Sequence, residues 1–246
     1  MRTQFSKIAL VAIFGFALTF TLSCSGGGSD DDGNGNSSSP SDVSSSSSKP
    51  NNSSSSRGGS SSSIQSEVIY GNPVIYQGET YQTVVIGTQT WFNRNLNYAV
   101  AGSVCGGNDP ANCDKYGRLY NWETAIFVCP SSWHLPSRDE WDVLVNFAGS
   151  SSIAGTKLKA TSGWNSYSSV PSGTDAFGFS ALPGGWGSSA GNFYGVGNYG
   201  NWWSSSEDAE GVYGRLISDE DEEVRDNNYW GNAKSNLLSV RCLKDD

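Results

Sequence analysis

Six carboxylates fall within eight residues, at Asp219, Glu220, Asp221, Glu222, Glu223 and Asp226. Calcium prefers several hard oxygens, so Asp219, Asp221 and Glu223 form a candidate calcium site. Numbered from Asp219, an EF-hand loop needs Gly at its sixth position and Glu at its twelfth, and Val224 and Trp230 stand there instead. The plainer reading of the run is a solvated hairpin tip. A second kind of chemistry belongs to aromatic faces, which stack on sugar rings. Trp186, Tyr194, Tyr199, Trp202 and Trp230 lie where the neighbouring sequence offers little hydrophobic support. They are the candidate ligand-binding residues, and a surface built from some of the five is expected rather than a site at any one.

Catalytic constellations are harder to find. Gly187, Ser189 and Gly191 match the spacing of a nucleophile elbow, but a Ser- and Gly-rich loop produces such matches by chance, and the context is not strand, turn, helix. His134, the one histidine, precedes Ser189, whereas the elbow fold places its histidine last. Between Trp133 and Leu135, at a turn into a helix, His134 reads as a packed, hydrogen-bonded turn residue rather than a base or ligand. Zinc lacks ligands, and no spacing among the acids singles out a glycosidase pair. No catalytic residue is assigned, and the expectation is a protein that is not an enzyme.

The elements that must position these residues centre on 121–149. Ser137 followed by Glu140 is a capping-box signature, and Trp141, Leu144, Val145 and Ala148 fall at helical spacing before a stopping Gly149. The stretch predicts two short amphipathic helices joined by a rigid turn. Upstream, Glu67–Tyr76, Thr80–Ile86 and Gln89–Asn97 read as short antiparallel strands, with breaks at Gly71-Asn72-Pro73 and Gly78. Downstream, Pro183–Gly200 is a glycine-rich run. Val212–Ser218 and Glu223–Arg225 look like two arms around the acidic tip, and Leu237–Lys244 like a closing strand. After Cys24 four cysteines remain and three pairings are open. Cys105 with Cys113, which bracket turn formers, and Cys129 with Cys242 are favoured.

The first 63 residues cannot build a core. Arg2 and Lys7 precede the apolar run Ile8–Leu22, which reads as an export signal over 1–23. Ser23-Cys24 then resembles a bacterial lipobox, making Cys24 the expected lipidation site, with acyl chains as the membrane attachment. Residues 25–63 hold 19 Ser and no aromatic, so a disordered tether is expected over 24–63. It would reach roughly 35 Å on average and about 130 Å at full stretch. Asp30, Asp31 and Asp32 resemble the acidic export tags of some surface lipoproteins. The expected location is the bacterial cell envelope, lipid-anchored, at the outer membrane and surface-exposed. The chain carries 15 basic and 24 acidic residues, and such a balance argues against a nucleic-acid partner. One globular domain is expected over 64–246.

Six strings occur in order: YQTVVIGTQTWFNRNLNYA at 81–99, NCDKYGRLYNWETA at 112–125, CPSSWHLPSRDEW at 129–141, FGFSALPGG at 177–185, YGNWWSSSE at 199–207 and SVRC at 239–242. Together they resemble the Fibrobacter succinogenes major paralogous domain family over about residues 68–246. That family is similar in turn to the C-type-lectin-like and formylglycine-generating-enzyme folds, whose last strand returns beside the first. The resemblance implies an α+β domain with a twisted antiparallel sheet, two short helices and long Gly-rich loops. It also implies that Trp202 or Trp203 is core. The formylglycine-generating activity needs a reactive cysteine pair before the last strand, and 225–236 has no cysteine. The Glu-Pro-Asn and Gln-Pro-Asp tripeptides of calcium-dependent sugar-binding lectins are also missing. The expected function is a non-catalytic surface domain that binds a carbohydrate or other extracellular polymer. The alternatives are a structural or adhesion protein acting through protein contacts, or an enzyme of unrecognised type.

Overall fold

The structure, a computed structural model, describes residues 67–166, 169–227 and 234–246. The export signal, Cys24, the tether and Trp230 lie outside the described residues. The fold is mixed α+β, with two curled sheets and a few short helices. Strands β1 (Ile69–Tyr76), β2 (Glu79–Ile86) and β3 (Gln89–Phe92) form a meander. Gln77 and Gly78 both take positive φ, which gives the first two-residue turn the twist that a hairpin requires. Gly71-Asn72-Pro73 does not end β1 as the sequence suggests; pairing with β2 continues across a register shift between Gly71 and Val74.

β4 (Ser103–Val104) leads into a 3-10 turn and α1 (Pro110–Tyr116). Then come β5 (Leu119–Tyr120), α2 (Trp122–Ala125), β6 (Trp133–His134) and α3 (Arg138–Phe147). The capping box at Ser137 and Glu140 is formed, and Trp141, Leu144 and Val145 are buried. The first expected helix is only four residues long, and a strand rather than a bare turn separates it from α3. α1 and α4 (Ala154–Leu158) were not expected. The signal for α1 was present: Asp109 caps it by accepting from the Ala111 amide, and Pro110 opens it. α4 has no side-chain cap, and is held instead by the Gly155 amide donating to the Glu222 carbonyl.

The remaining strands are β7 (Gly184–Gly187), β8 (Phe193–Val196), β9 (Tyr199–Asp208), β10 (Gly211–Ser218), β11 (Val224–Asp226), β12 (Leu238–Ser239) and β13 (Leu243–Lys244). Among the described residues one sheet runs β1-β2-β3-β13-β6 and the other β11-β10-β9-β12-β5-β4, with the β7–β8 hairpin joined to β9. The expected closing strand is thus two strands, one in each sheet, and β13 lies beside β3 rather than beside β1. Tight turns put β1 and β3 on opposite sides of β2; β13 pairs with the outer side of β3, and β1 stays the edge strand of the sheet. Both favoured disulfides form, Cys105–Cys113 and Cys129–Cys242. Cys129 lies past the end of α2 rather than on it.

Consecutive residues on a strand face opposite sides, and this chain uses both. Trp91, Trp202 and Leu243 enter one core cluster, while Phe92, Trp203 and Cys242 enter the other. Between the clusters lies a buried polar hub. Arg241 is fully buried, and its guanidinium donates to Asn95 Oδ1 at 2.8 and 3.1 Å, to the Phe92 carbonyl at 3.2 Å and to the Phe179 carbonyl. Trp202 Nε1 donates to the same Asn95 oxygen at 2.8 Å, and Asn95 Nδ2 donates to the Tyr116 carbonyl at 2.8 Å. Burial lowers the Arg241 pKa to about 9, which leaves the group charged at neutral pH.

Candidate functional site

The five aromatics take different places. Trp202 is completely buried and belongs to the hub, which removes it from any ligand surface. The strand period explains the correction: Trp202 and Trp203 point into the two core clusters, so both are core. Trp186 and Tyr194 face each other in register across the β7–β8 hairpin, with ring centroids 4.8 Å apart and planes 29° from parallel. Tyr194 is 46% exposed and Val196, two residues on and therefore on the same face, is 38% exposed. Trp186 is half-buried against the second core cluster. The close hairpin depends on Gly185, at φ 71°, where an added Cβ would stand 2.3 Å from the Tyr194 carbonyl oxygen. Tyr199 is half-buried with its ring against Gly195.

Next to this hairpin, a cleft of about 100 Å³ with a mixed polar and apolar lining opens between Lys159–Ser162, Trp164–Ser166, Val170–Gly173 and Asp219. The two features meet at the turn after β8. The Asn165 amide donates to the Gly197 carbonyl at 2.8 Å, and Asn165 Nδ2 donates to Asn198 Oδ1 at 3.2 Å. Asn198 Nδ2 in turn donates to Asp219 Oδ2 at 2.8 Å. Lys159 is buried at the cleft's inner end, donates to the Asp221 carbonyl at 2.7 Å and lies 5.2 Å from the Trp164 ring centre. Burial pulls its pKa down, against the pull of Asp221, Asp219 and Glu222. Trp164 is fixed by donating Nε1 to the Ala181 carbonyl at 2.9 Å. Gly173 presses so closely on this wall that a Cβ there would lie 2.4 Å from the Ala160 carbonyl oxygen. Sequence reading missed Lys159, Trp164 and Asn165, because nothing in KLKATSGWN marks a buried lysine.

The calcium reading of the acidic run does not survive the geometry. β10 and β11 are the expected arms, but Asp221 and Glu223 both pair with the Arg225 guanidinium, while Asp219 turns inward and is buried. Spacings of two and four residues bring both carboxylates to one cation, and the three acids share no common point. Among the described residues no group of three or more His, Cys, Asp or Glu could hold a metal ion. His134 is hydrogen-bonded as expected but lies in β6 rather than in a turn, paired with Leu243 of β13, with Nδ1 2.7 Å from Asp245 and Nε2 2.9 Å from Glu140. Burial alone would lower its pKa, yet Asp245 and Glu140 together raise it. Ser189 sits exposed in the β7–β8 turn, so the elbow spacing is a hairpin tip.

No curated protein and no solved structure matches the chain. The sequence model of the family described as the Fibrobacter succinogenes major domain matches residues 84–244, which takes in Asn95, Trp202, Arg241, both disulfides and the aromatic hairpin. With that span covering well over half its length, the chain belongs to the Fibrobacter succinogenes major domain family.

Proposed function

We propose that the domain is a non-catalytic, cell-surface binding module for a carbohydrate or other extracellular polymer, carried on a lipid anchor at Cys24. The observation that supports it most is the Trp186–Tyr194 stack, held in register on a hairpin with Tyr194 turned outward beside a cleft. Tyr194, its ring stacked on Trp186 and locked by backbone pairing, presents flat apolar area without a further ordering cost on binding. A polymer lying along the hairpin meets the Tyr194–Val196 face first and the cleft next. The C-type-lectin-like fold belongs to the same reading. It is supported by the Cys129–Cys242 bridge and by the return of the C-terminal β13 into the sheet that begins the domain.

Full-length protein in detergent, applied to a glycan array, tests the proposal. The parent should bind at least one polysaccharide class, and a Trp186→Ala, Tyr194→Ala double variant should lose at least ten-fold in retention. A parent that binds no glycan would sink it. That outcome favours the second reading, adhesion through protein contacts, for which edge strand β1 offers Ile69, Tyr70 and Ile75, at 62, 62 and 80% exposure.

A further inference from the structure

The two disulfides differ in what surrounds their sulfurs. Cys242 is fully buried in the second apolar cluster, and Cys129 packs against that cluster. Against the Cys105–Cys113 bridge lies a cation instead. Arg118 Nη1 is 3.5 Å from Cys105 Sγ and 3.4 Å from Cys113 Sγ. Ser103 holds it there, accepting from Arg118 Nε at 2.9 Å through its hydroxyl and from Nη2 at 3.3 Å through its carbonyl. Among the described residues no carboxylate forms an ion pair with Arg118, so its charge is left for the sulfurs. A disulfide sulfur is a weak acceptor and does not by itself require a charge aimed at it.

A cation at that distance favours a thiolate over a thiol. Thiol–disulfide exchange gains from this at the departing sulfur, because a thiol of lower pKa leaves faster. Access decides which sulfur departs. Cys113 is 5% exposed, whereas Cys105 is only half-buried, at the start of the 3-10 turn, and is the more open end of the bond. We propose that Cys105–Cys113 is an exchangeable disulfide and that Cys105 is a site of reversible S-thiolation by a low-molecular-weight thiol. The incoming thiolate forms a bond to Cys105 Sγ, the bond between Cys105 and Cys113 breaks, and its electron pair leaves on Cys113 Sγ as a thiolate beside the Arg118 guanidinium. One disulfide and one thiolate give another disulfide and another thiolate, so the step needs no oxidant. Asp109 capping α1 and Asn112 Nδ2 donating to the Gly106 carbonyl at 2.9 Å hold the two cysteines near each other while the bond is open. Cys113 is thereby placed for the return attack that expels the small thiol. The inference is independent of the glycan reading.

Full-length folded protein in detergent at pH 7, exposed to reduced glutathione, quenched with iodoacetamide and mapped by peptide mass spectrometry, tests this. Glutathione should be found on Cys105 and the alkyl group on Cys113, with Cys129–Cys242 intact. Arg118→Met should slow the exchange about five-fold, since the leaving thiolate loses its cation. If Arg118 were only a brace, its removal would loosen the turn and speed the exchange, so the sign of the change separates the two roles. Where Arg118→Met fails to fold, the parent decides alone: alkylation of Cys113 in the glutathionylated protein, followed against pH, should titrate well below the ordinary thiol value of about 8.5. Glutathione on Cys113 in place of Cys105, or opening of Cys129–Cys242 at the same rate, would overturn the proposal. So would exchange that is unchanged or faster in Arg118→Met, or a Cys113 titration at or above about 8.5.

Discussion

The buried hub around Arg241 and the surface around Trp186 and Tyr194 use the same residue types for opposite ends. In the hub, Trp202 is an indole whose one donor is spent on Asn95, and Arg241 is a cation spent on carbonyls and the same amide. On the surface, Tyr194 keeps nearly half its area in solvent while its ring stacks on Trp186. The six strings that carry the family resemblance describe the first region. Asn95, Tyr116, Phe179, Trp202 and Arg241 all lie inside them, whereas Lys159, Trp164, Asn165, Trp186, Tyr194 and Asp219 all lie between them. The motifs encode a scaffold, and the candidate site is built from what the scaffold holds up.

The most forceful way to break the scaffold is to cut its long covalent loop. Cys129 and Cys242 are 113 residues apart, and replacing both by Ser should cost about 4–5 kcal/mol in the chain-entropy view. Cys105 and Cys113 are 8 apart, and their loss should cost only about 2–3 kcal/mol. Urea unfolding of the two double variants should show that order, and an equal or reversed cost would contradict it. Next in size, Arg241→Met should cost about 3–4 kcal/mol, because it leaves the Asn95 amide oxygen and the Phe92 and Phe179 carbonyls short of donors in a dry interior. A variant within about 0.5 kcal/mol of the parent would show that the hub is not what holds the sheets together.

The smallest effect should come from His134, which ties the start of α3 to the C-terminal tail. Its folded pKa is raised above 6.5, so its contribution is complete below pH 6.5 and is lost as pH rises through the raised value. Glu140 is shifted the other way. Burial opposes its charged form, but Ser137 and His134 hold its pKa below 4.5, so its contribution is present above pH 4.5 and fades as pH falls through the lowered value. The pair is therefore strongest between pH 4.5 and 6.5. Because both side chains are about a third exposed, less than about 1 kcal/mol is at stake. Melting midpoints of the parent and His134→Gln should differ at pH 5.5 and converge by pH 9; a constant gap would mean that His134 acts by packing alone.

Local chemistry was the legible part of this fold. The Ser137 capping box, the β10–β11 arms and the Cys105–Cys113 bridge were readable because each depends on residues whose spacing or turn chemistry is visible in the chain, and Cys129–Cys242 was the pair then left over. The split of Leu237–Lys244 into strands of two sheets was not, since an apolar run does not say which edge is free. The aromatics were legible as a group and not singly. Trp186 and Tyr194 required the hairpin register, and Trp202 required its strand parity. The acidic run misled because Arg225, close by in sequence, takes two of the three carboxylates assigned to calcium. Lys159 could not be read at all, because its burial comes from α4 meeting the 219–223 turn, a contact made across about sixty residues.

The central claim is that fold and binding are housed in different residues. The direct measurement is to record polysaccharide retention and the urea midpoint side by side for Tyr194→Ala and Asn95→Ala. Tyr194→Ala should lose most retention with its stability within about 1 kcal/mol of the parent. Asn95→Ala should unfold at clearly lower urea, yet retain the parent's affinity wherever it remains folded. The opposite pattern, with binding intact in folded Tyr194→Ala and abolished in folded Asn95→Ala, would contradict the account.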